Sequence, residues 1–204
     1  MKLKKRKKVN FMADISINGN KKQNQALQST IKDVKQYCDT DAVSRLNKVD
    51  FIFDKTMSKG EAGIMERNGE KYLIRLPQRF NTFSPEERGE TFCHELSHVD
   101  FAEKNNTKGD IPSKEDELQA YTKEYAFKQK FLKDKGIAFT PPSKEKITEM
   151  LNIHREYRCI PEKSPTTNIE AIKAEFKMGA CGSIKDSKDF INNSIFLGAV
   201  KDKK

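Results

Sequence analysis

TFCHELSHVDF, residues 91–101, holds two of the chain's three histidines. His94 and His98 stand four residues apart with Glu95 directly after the first, and on a helix that spacing projects both imidazoles from one face. Two imidazoles presented together can grip one ion at the short distances that zinc requires. Glu95 then sits beside that face, placed to act on water without being a ligand. Phe92, Leu96 and Val99 occupy the opposite side and give the helix an apolar anchor for a core. So few histidines yield only about 0.004 chance matches to H-E-x-x-H in a chain of this length. The motif is therefore read as chemistry.

The flanking sequence supports a helix here. Ser84 can cap, Pro85 suits the first helical position and Glu87 completes an S-x-x-E box, so the spacing predicts a helix over residues 85–104. Upstream, Leu27, Ile31, Val34 and Cys38 recur at helical spacing over residues 21–38. KVDFIFDK alternates Val49, Phe51 and Phe53 like a half-buried strand. GIMERNGEKYLIRL reads as a hairpin turning at Asn68-Gly69. Downstream, Ser113 with Asp116 marks a second capped start, and the stripe Leu118, Tyr121, Tyr125, Leu132 carries that helix to a stop at Gly136. Further helices are predicted over 144–157 and around IEAIKAEF, followed by a last apolar run, SIFLGAV.

Two histidines bind zinc poorly without a third ligand. The extension H-E-x-x-H-x-x-G-x-x-H is excluded, because Phe101 and Lys104 stand at its last two defined positions. The alternative is a carboxylate from the next helix. Eighteen residues separate His98 from Glu117, in the first turn of that helix, after a loop long enough to reverse the chain. Glu115, Asp116 and Glu124 compete for the role. The phase of the Leu118 stripe favours Glu117.

The net charge of +9 suggests an acidic partner until it is located. Six basic residues lie in residues 1–8, and KDKK closes the chain, which leaves the body close to neutral. A basic patch interleaved with aromatics, the footprint of nucleic-acid binding, is absent from that body. The tails offer at most weak electrostatic contact with acidic partners. No stretch has the ~18 apolar residues of a membrane span, and no signal-peptide run follows the basic start. The expectation is a cytoplasmic chain, with non-classical export or removal of a leader as alternatives. Cys38, Cys93, Cys159 and Cys181 lie far apart without a C-x-x-C pair, which fits reduced thiols; a Cys159 to Cys181 bridge is considered only for a secreted protein.

HELSH, the eighteen-residue interval and ELQAYTKEY resemble the gluzincin metallopeptidases, whose glutamate ligand is often followed three residues on by an alanine, here Ala120. Helix, strand, hairpin and a run ending RGETFCHELSH are also similar to the small ImmA/IrrE-type metallopeptidases. The similarity covers about residues 21–130. It implies an α+β, zincin-like fold: a small antiparallel or mixed sheet packed on the active-site helix, then a mainly helical C-terminal part. The organisation expected from charge and pattern is a basic arm at 1–8, a catalytic core at 9–136 and a helical subdomain at 137–204, which supplies the second wall of a cleft or covers it.

The resemblance further implies one zinc ion on His94, His98 and Glu117, with water at its open position, and Glu95 as general base for hydrolysis of a protein or peptide substrate. No aminopeptidase signature is present, so an endopeptidase is expected. His154, Tyr121, Tyr125 and Tyr157 are candidates for holding the oxyanion. KYLIRL is read either as a sheet edge for an extended peptide or simply as a structural strand. The competing readings are a catalytically inactive zincin-like binding module and a nucleic-acid binder acting through its tails.

Overall fold

The computed structural model describes residues 18–58, 62–68, 71–107, 111–154, 157 and 159–181. Both basic tails, the turn residue Gly69 and SIFLGAV lie outside these residues.

Helix α1 (Lys21–Tyr37) starts at Asn20, whose side chain accepts from the Gln23 backbone while Gln23 bonds back to Asn20. This reciprocal cap satisfies two N–H groups that the first turn leaves without partners. Leu27, Ile31 and Val34 are buried, as their spacing predicts. A short helix, α2 (Thr40–Ser44), and a 3-10 turn lead into strand β1 (Val49–Asp54). Strands β2 (Ile64–Asn68) and β3 (Lys71–Pro77) form the expected hairpin, with Asn68 paired to Lys71.

The sheet is mixed, in the order β1-β3-β2, with β1 parallel and β2 antiparallel to β3. KYLIRL is therefore the central strand, so of its two readings the structural strand stands and the substrate edge is corrected. Its backbone groups are shared between two neighbours, because β1 joins it across a gap in sequence that no local pattern announces. The edge beside the histidine helix is β2. Val49, Phe51 and Phe53 align with Tyr72, Ile74 and Leu76, and these six side chains form one buried face. Helix α3 (Pro85–Asn105) packs on that face, where the Phe92 ring stacks on Phe51 at 4.8 Å.

Helix α4 (Lys114–Asp134) lies along α3, and α5 (Lys144–Ile153) and α6 (Asn168–Cys181) follow, which makes the chain α+β and mostly helical. The α5 helix stops at Ile153, short of the expected residue 157, because His154 turns to extended backbone. The core face of α4 also differs from expectation. Ala120, Phe127, Phe131 and Leu132 are buried, whereas Leu118, Tyr121 and Tyr125 are only half-buried. Phe127 reaches the core because Gly89 leaves α3 bare where the two helices meet: a β-carbon at Gly89 would lie 2.1 Å from the Phe127 ring. Asp100 adds a polar clamp. Fully buried on α3, it pairs with Arg45, with Lys104 and, at 2.9 Å, with Lys123 of α4. Burial alone would raise its pKa, but the two lysines outweigh burial and lower it.

The expectation of four reduced thiols is also corrected. Cys38, at the end of α1, is bonded to Cys93 on the core side of α3, with Cα atoms 6.2 Å apart. Fifty-five residues separate them in sequence, and it is the packing of α1 on α3 that makes them neighbours. Cys159 is a free thiol, and the side chain of Cys181 lies outside those described. Among the described residues, no helix is long and apolar enough to cross a membrane.

Candidate metal centre

Ser84 fixes the start of α3: its hydroxyl accepts from the Glu87 N–H, and the Glu87 carboxylate accepts from the Ser84 N–H at 2.7 Å. Phe92, Cys93, Leu96 and Val99 then point into the core without exposed surface. That phase leaves His94, Glu95 and His98 facing α4 and the start of β2.

The first turn of α4 meets them there. Glu117 Oε2 lies 3.5 Å from His94 Nε2, and Glu117 Oε1 lies 3.9 Å from His98 Nε2. One ligand atom from each of His94, His98 and Glu117 falls within 4.8 Å of the others, and these three form the one such group among the described residues. The remaining ring nitrogens point outward to carboxylates. His94 Nδ1 hydrogen-bonds Glu124 at 2.8 Å, and His98 Nδ1 makes a 2.9 Å ion-pair contact with Asp116. Asp116 and Glu124, rival ligands in the sequence, thus stand behind the imidazoles, and Glu115 takes no part in the group. Such backing carboxylates orient a histidine and raise its basicity as a ligand.

This set fits a divalent metal ion. Both Nε2 atoms are turned toward the centre, and Glu117 Oε2 is buried with no close hydrogen bond, its contact with His94 Nε2 being 3.5 Å, an arrangement that favours a positive charge between them. The 3.5 Å separation is close to the ~3.4 Å edge of a tetrahedron whose ligand distances are ~2.1 Å. The electrostatics agree. Burial opposes charge on His94, but Glu117 and Glu124 outweigh it and raise its pKa to about 10. Burial likewise opposes charge on His98, and Asp116 prevails to raise it. Burial would raise Glu117, yet His94 and His98 hold it below its ordinary value. The pocket is thus built to hold positive charge between these side chains.

Glu95 is 7% exposed, and burial raises its pKa, opposed by His94 and His98. It faces two lobes of one cleft, of about 280 and 690 Å³, which share Gly63, His94, Glu95 and Tyr157. The backbone at Gly63, just before β2, lies so close that a β-carbon there would be 2.9 Å from Glu95 Oε1.

Of the four oxyanion candidates, Tyr157 lines both lobes and Tyr121 lines the larger. Their hydroxyls are 2.7 Å apart, and the Tyr121 ring meets His94 edge-on. Burial, followed by the Tyr157 bond, pushes the Tyr121 pKa far up and keeps it a proton donor. Tyr125 stacks on Phe139 and lines neither lobe, and His154 is exposed at the end of α5. The backing roles of Asp116 and Glu124 were missed from sequence. The seven-residue step from Glu117 to Glu124 carried the signal for one of them, since it returns to the same helix face.

Comparison with known proteins finds no match to this chain among family models, curated proteins or solved structures.

Proposed function

We propose that the protein is a zinc-dependent metallopeptidase of zincin-like fold, an endopeptidase that hydrolyses peptide bonds of a protein substrate. The observation that carries this reading is the convergence of His94 Nε2, His98 Nε2 and the buried Glu117 carboxylate beside Glu95. Two nitrogens and one carboxylate oxygen are a donor set suited to catalytic zinc, which when bound supplies Lewis-acid polarisation and an acidified water.

The chain's own residues account for the rest. Glu95 accepts a proton from the attacking water and returns it to the leaving nitrogen, and burial tunes it upward for that exchange. Tyr157, steadied by the Tyr121 hydroxyl, is a donor for the oxyanion. Backbone groups on the outer edge of β2 can pair with an extended peptide. A cleft that continues on both sides of Glu95 suits an internal bond.

The test is metal content by plasma mass spectrometry together with cleavage of a peptide library. About one zinc per chain is expected in wild type and none in His94→Ala or Glu117→Ala. Glu95→Gln should keep the zinc and lose cleavage. Wild-type protein that stays empty when zinc is supplied would overturn the reading, as would zinc-loaded wild type that cleaves no better than Glu95→Gln.

A further inference from the structure

The two lobes that meet at Glu95 differ in chemistry. Beyond their shared residues, the larger is lined by Glu87, Glu90 and Glu124, and no lysine or arginine lines it among the described residues. The smaller carries His98, Asp116 and Glu117 at its metal-facing side, and the rest of its wall is mainly apolar, with Ile64, Met65, Ala102, Ile111 and Pro112, and the Arg67 guanidinium over the Tyr72 ring.

A bound divalent ion would not neutralise the larger lobe. Its two charges are matched by Glu117, which faces it, and by Asp116 behind His98. Lys128 is shared between Glu86 and Glu90, so it offsets one carboxylate of that pair. Glu95, Glu124 and one equivalent of the Glu86–Glu90 pair remain, and Glu87 is exposed with its carboxylate bonded into the α3 cap. A second observation also points to a ligand: Glu95 is more than nine-tenths buried and faces this lobe, and no hydrogen bond to its carboxylate is found among the described residues. A low-dielectric concavity lined by one sign of charge concentrates the opposite charge.

We infer that the preferred substrate is an extended peptide with a lysine or arginine on one side of the bond held at Glu95 and a bulky apolar residue on the other. This rests on the peptidase reading. The acidic lobe takes the cationic side chain near Glu90, and the apolar lobe takes its neighbour across the shared residues Gly63 and Tyr157.

The test uses the full-length, zinc-supplied Glu95→Gln protein, which holds peptide without turnover. The probes are fluorescent twelve-residue Ala/Ser peptides with central Leu-Lys or Lys-Leu, and matched peptides with Glu for Lys or Ser for Leu. By fluorescence anisotropy at pH 8, one Lys peptide is expected to bind at least about 5-fold tighter than its Glu counterpart, the gain of one partly screened ion pair. Its Ser-for-Leu version should also bind more weakly. Adding Glu90→Lys should abolish or invert the charge preference, while melting temperature reports that this variant is folded. Equal affinity for Lys and Glu peptides, or no binding to any, overturns the inference. A clear preference for Lys with no cleavage of the same peptides by zinc-loaded wild type would overturn the peptidase reading and leave the ligand class standing.

Discussion

Ser164 Oγ lies 2.7 Å from Ser113 Oγ, a hydrogen bond across 51 residues at the start of the helix that carries Glu117. Ser113 also accepts from the Asp116 N–H, while the Lys114 and Glu115 N–H groups donate to the carbonyls of Pro161 and Glu162. Backbone donors that a helix start leaves without partners are thus satisfied by the C-terminal segment, and the turn holding Glu117 is tied down by it. Ser113→Ala should lower stability by about 1 kcal/mol in urea unfolding. It should also weaken metal binding in a chelator competition, whereas Ser164→Ala should have the smaller effect on both.

Asp116 and Glu124 back the two imidazoles and do not face the centre. Asp116→Asn and Glu124→Gln should each weaken zinc affinity by about 10–100-fold without abolishing it. Glu117→Gln, which removes the charge of the proposed third ligand, should cost more. Equal losses in all three, read by chelator competition, would contradict this division of roles.

Gly89 presents a contest between two effects. Alanine in a helix is favoured over glycine by about 1 kcal/mol. A β-carbon 2.1 Å from the fully buried Phe127 ring, however, forces the α3 and α4 helices apart. Overpacking of this kind costs about 1–3 kcal/mol, so Gly89→Ala should lower the unfolding midpoint. A raised midpoint would mean that the ring moves freely.

The Cys38 to Cys93 bond joins the end of α1 to the residue before His94. Intact mass under non-reducing conditions should be about 2 Da below that of the reduced chain. A thiol reductant, or Cys38→Ser, should lower stability by about 2–4 kcal/mol. Four free thiols in the native protein would refute the pairing.

Glu90 gives a pH dependence of defined sign. Burial raises its pKa from 4.5 to about 6; Lys128 opposes this, and Glu124 and Glu86 add to it. The folded state therefore binds this proton more tightly than the unfolded chain, and the penalty of ionising it grows from about pH 4.5 and is fully felt above about pH 6. Glu90→Gln should gain stability relative to wild type at pH 8, by about 1 kcal/mol after allowing for solvent screening. That advantage should vanish below about pH 4.5. Denaturant titrations at the two pH values decide it.

Much of this is legible in sequence, because helices and strands announce themselves through local rules. The Ser84 and Ser113 caps, the strand alternation of Val49, Phe51 and Phe53 and the apolar side of HELSH all depend on residues within one or two turns of each other. His94, Glu95 and His98 share a face by helical spacing alone. Tertiary packing decided what those rules leave free. Helical phase says where Glu115, Asp116, Glu117 and Glu124 point around α4, but the contact of α4 with α3, closed at Gly89 and Asp100, determines which carboxylate meets the imidazoles and which two stand behind them. The parallel pairing of β1 made KYLIRL the centre of the sheet and left β2 as the edge. The packing of α1 on α3 brought Cys38 to Cys93. Each of these is a relation between distant segments, fixed by burying one common apolar core, and a local pattern carries no information about the partner it will meet.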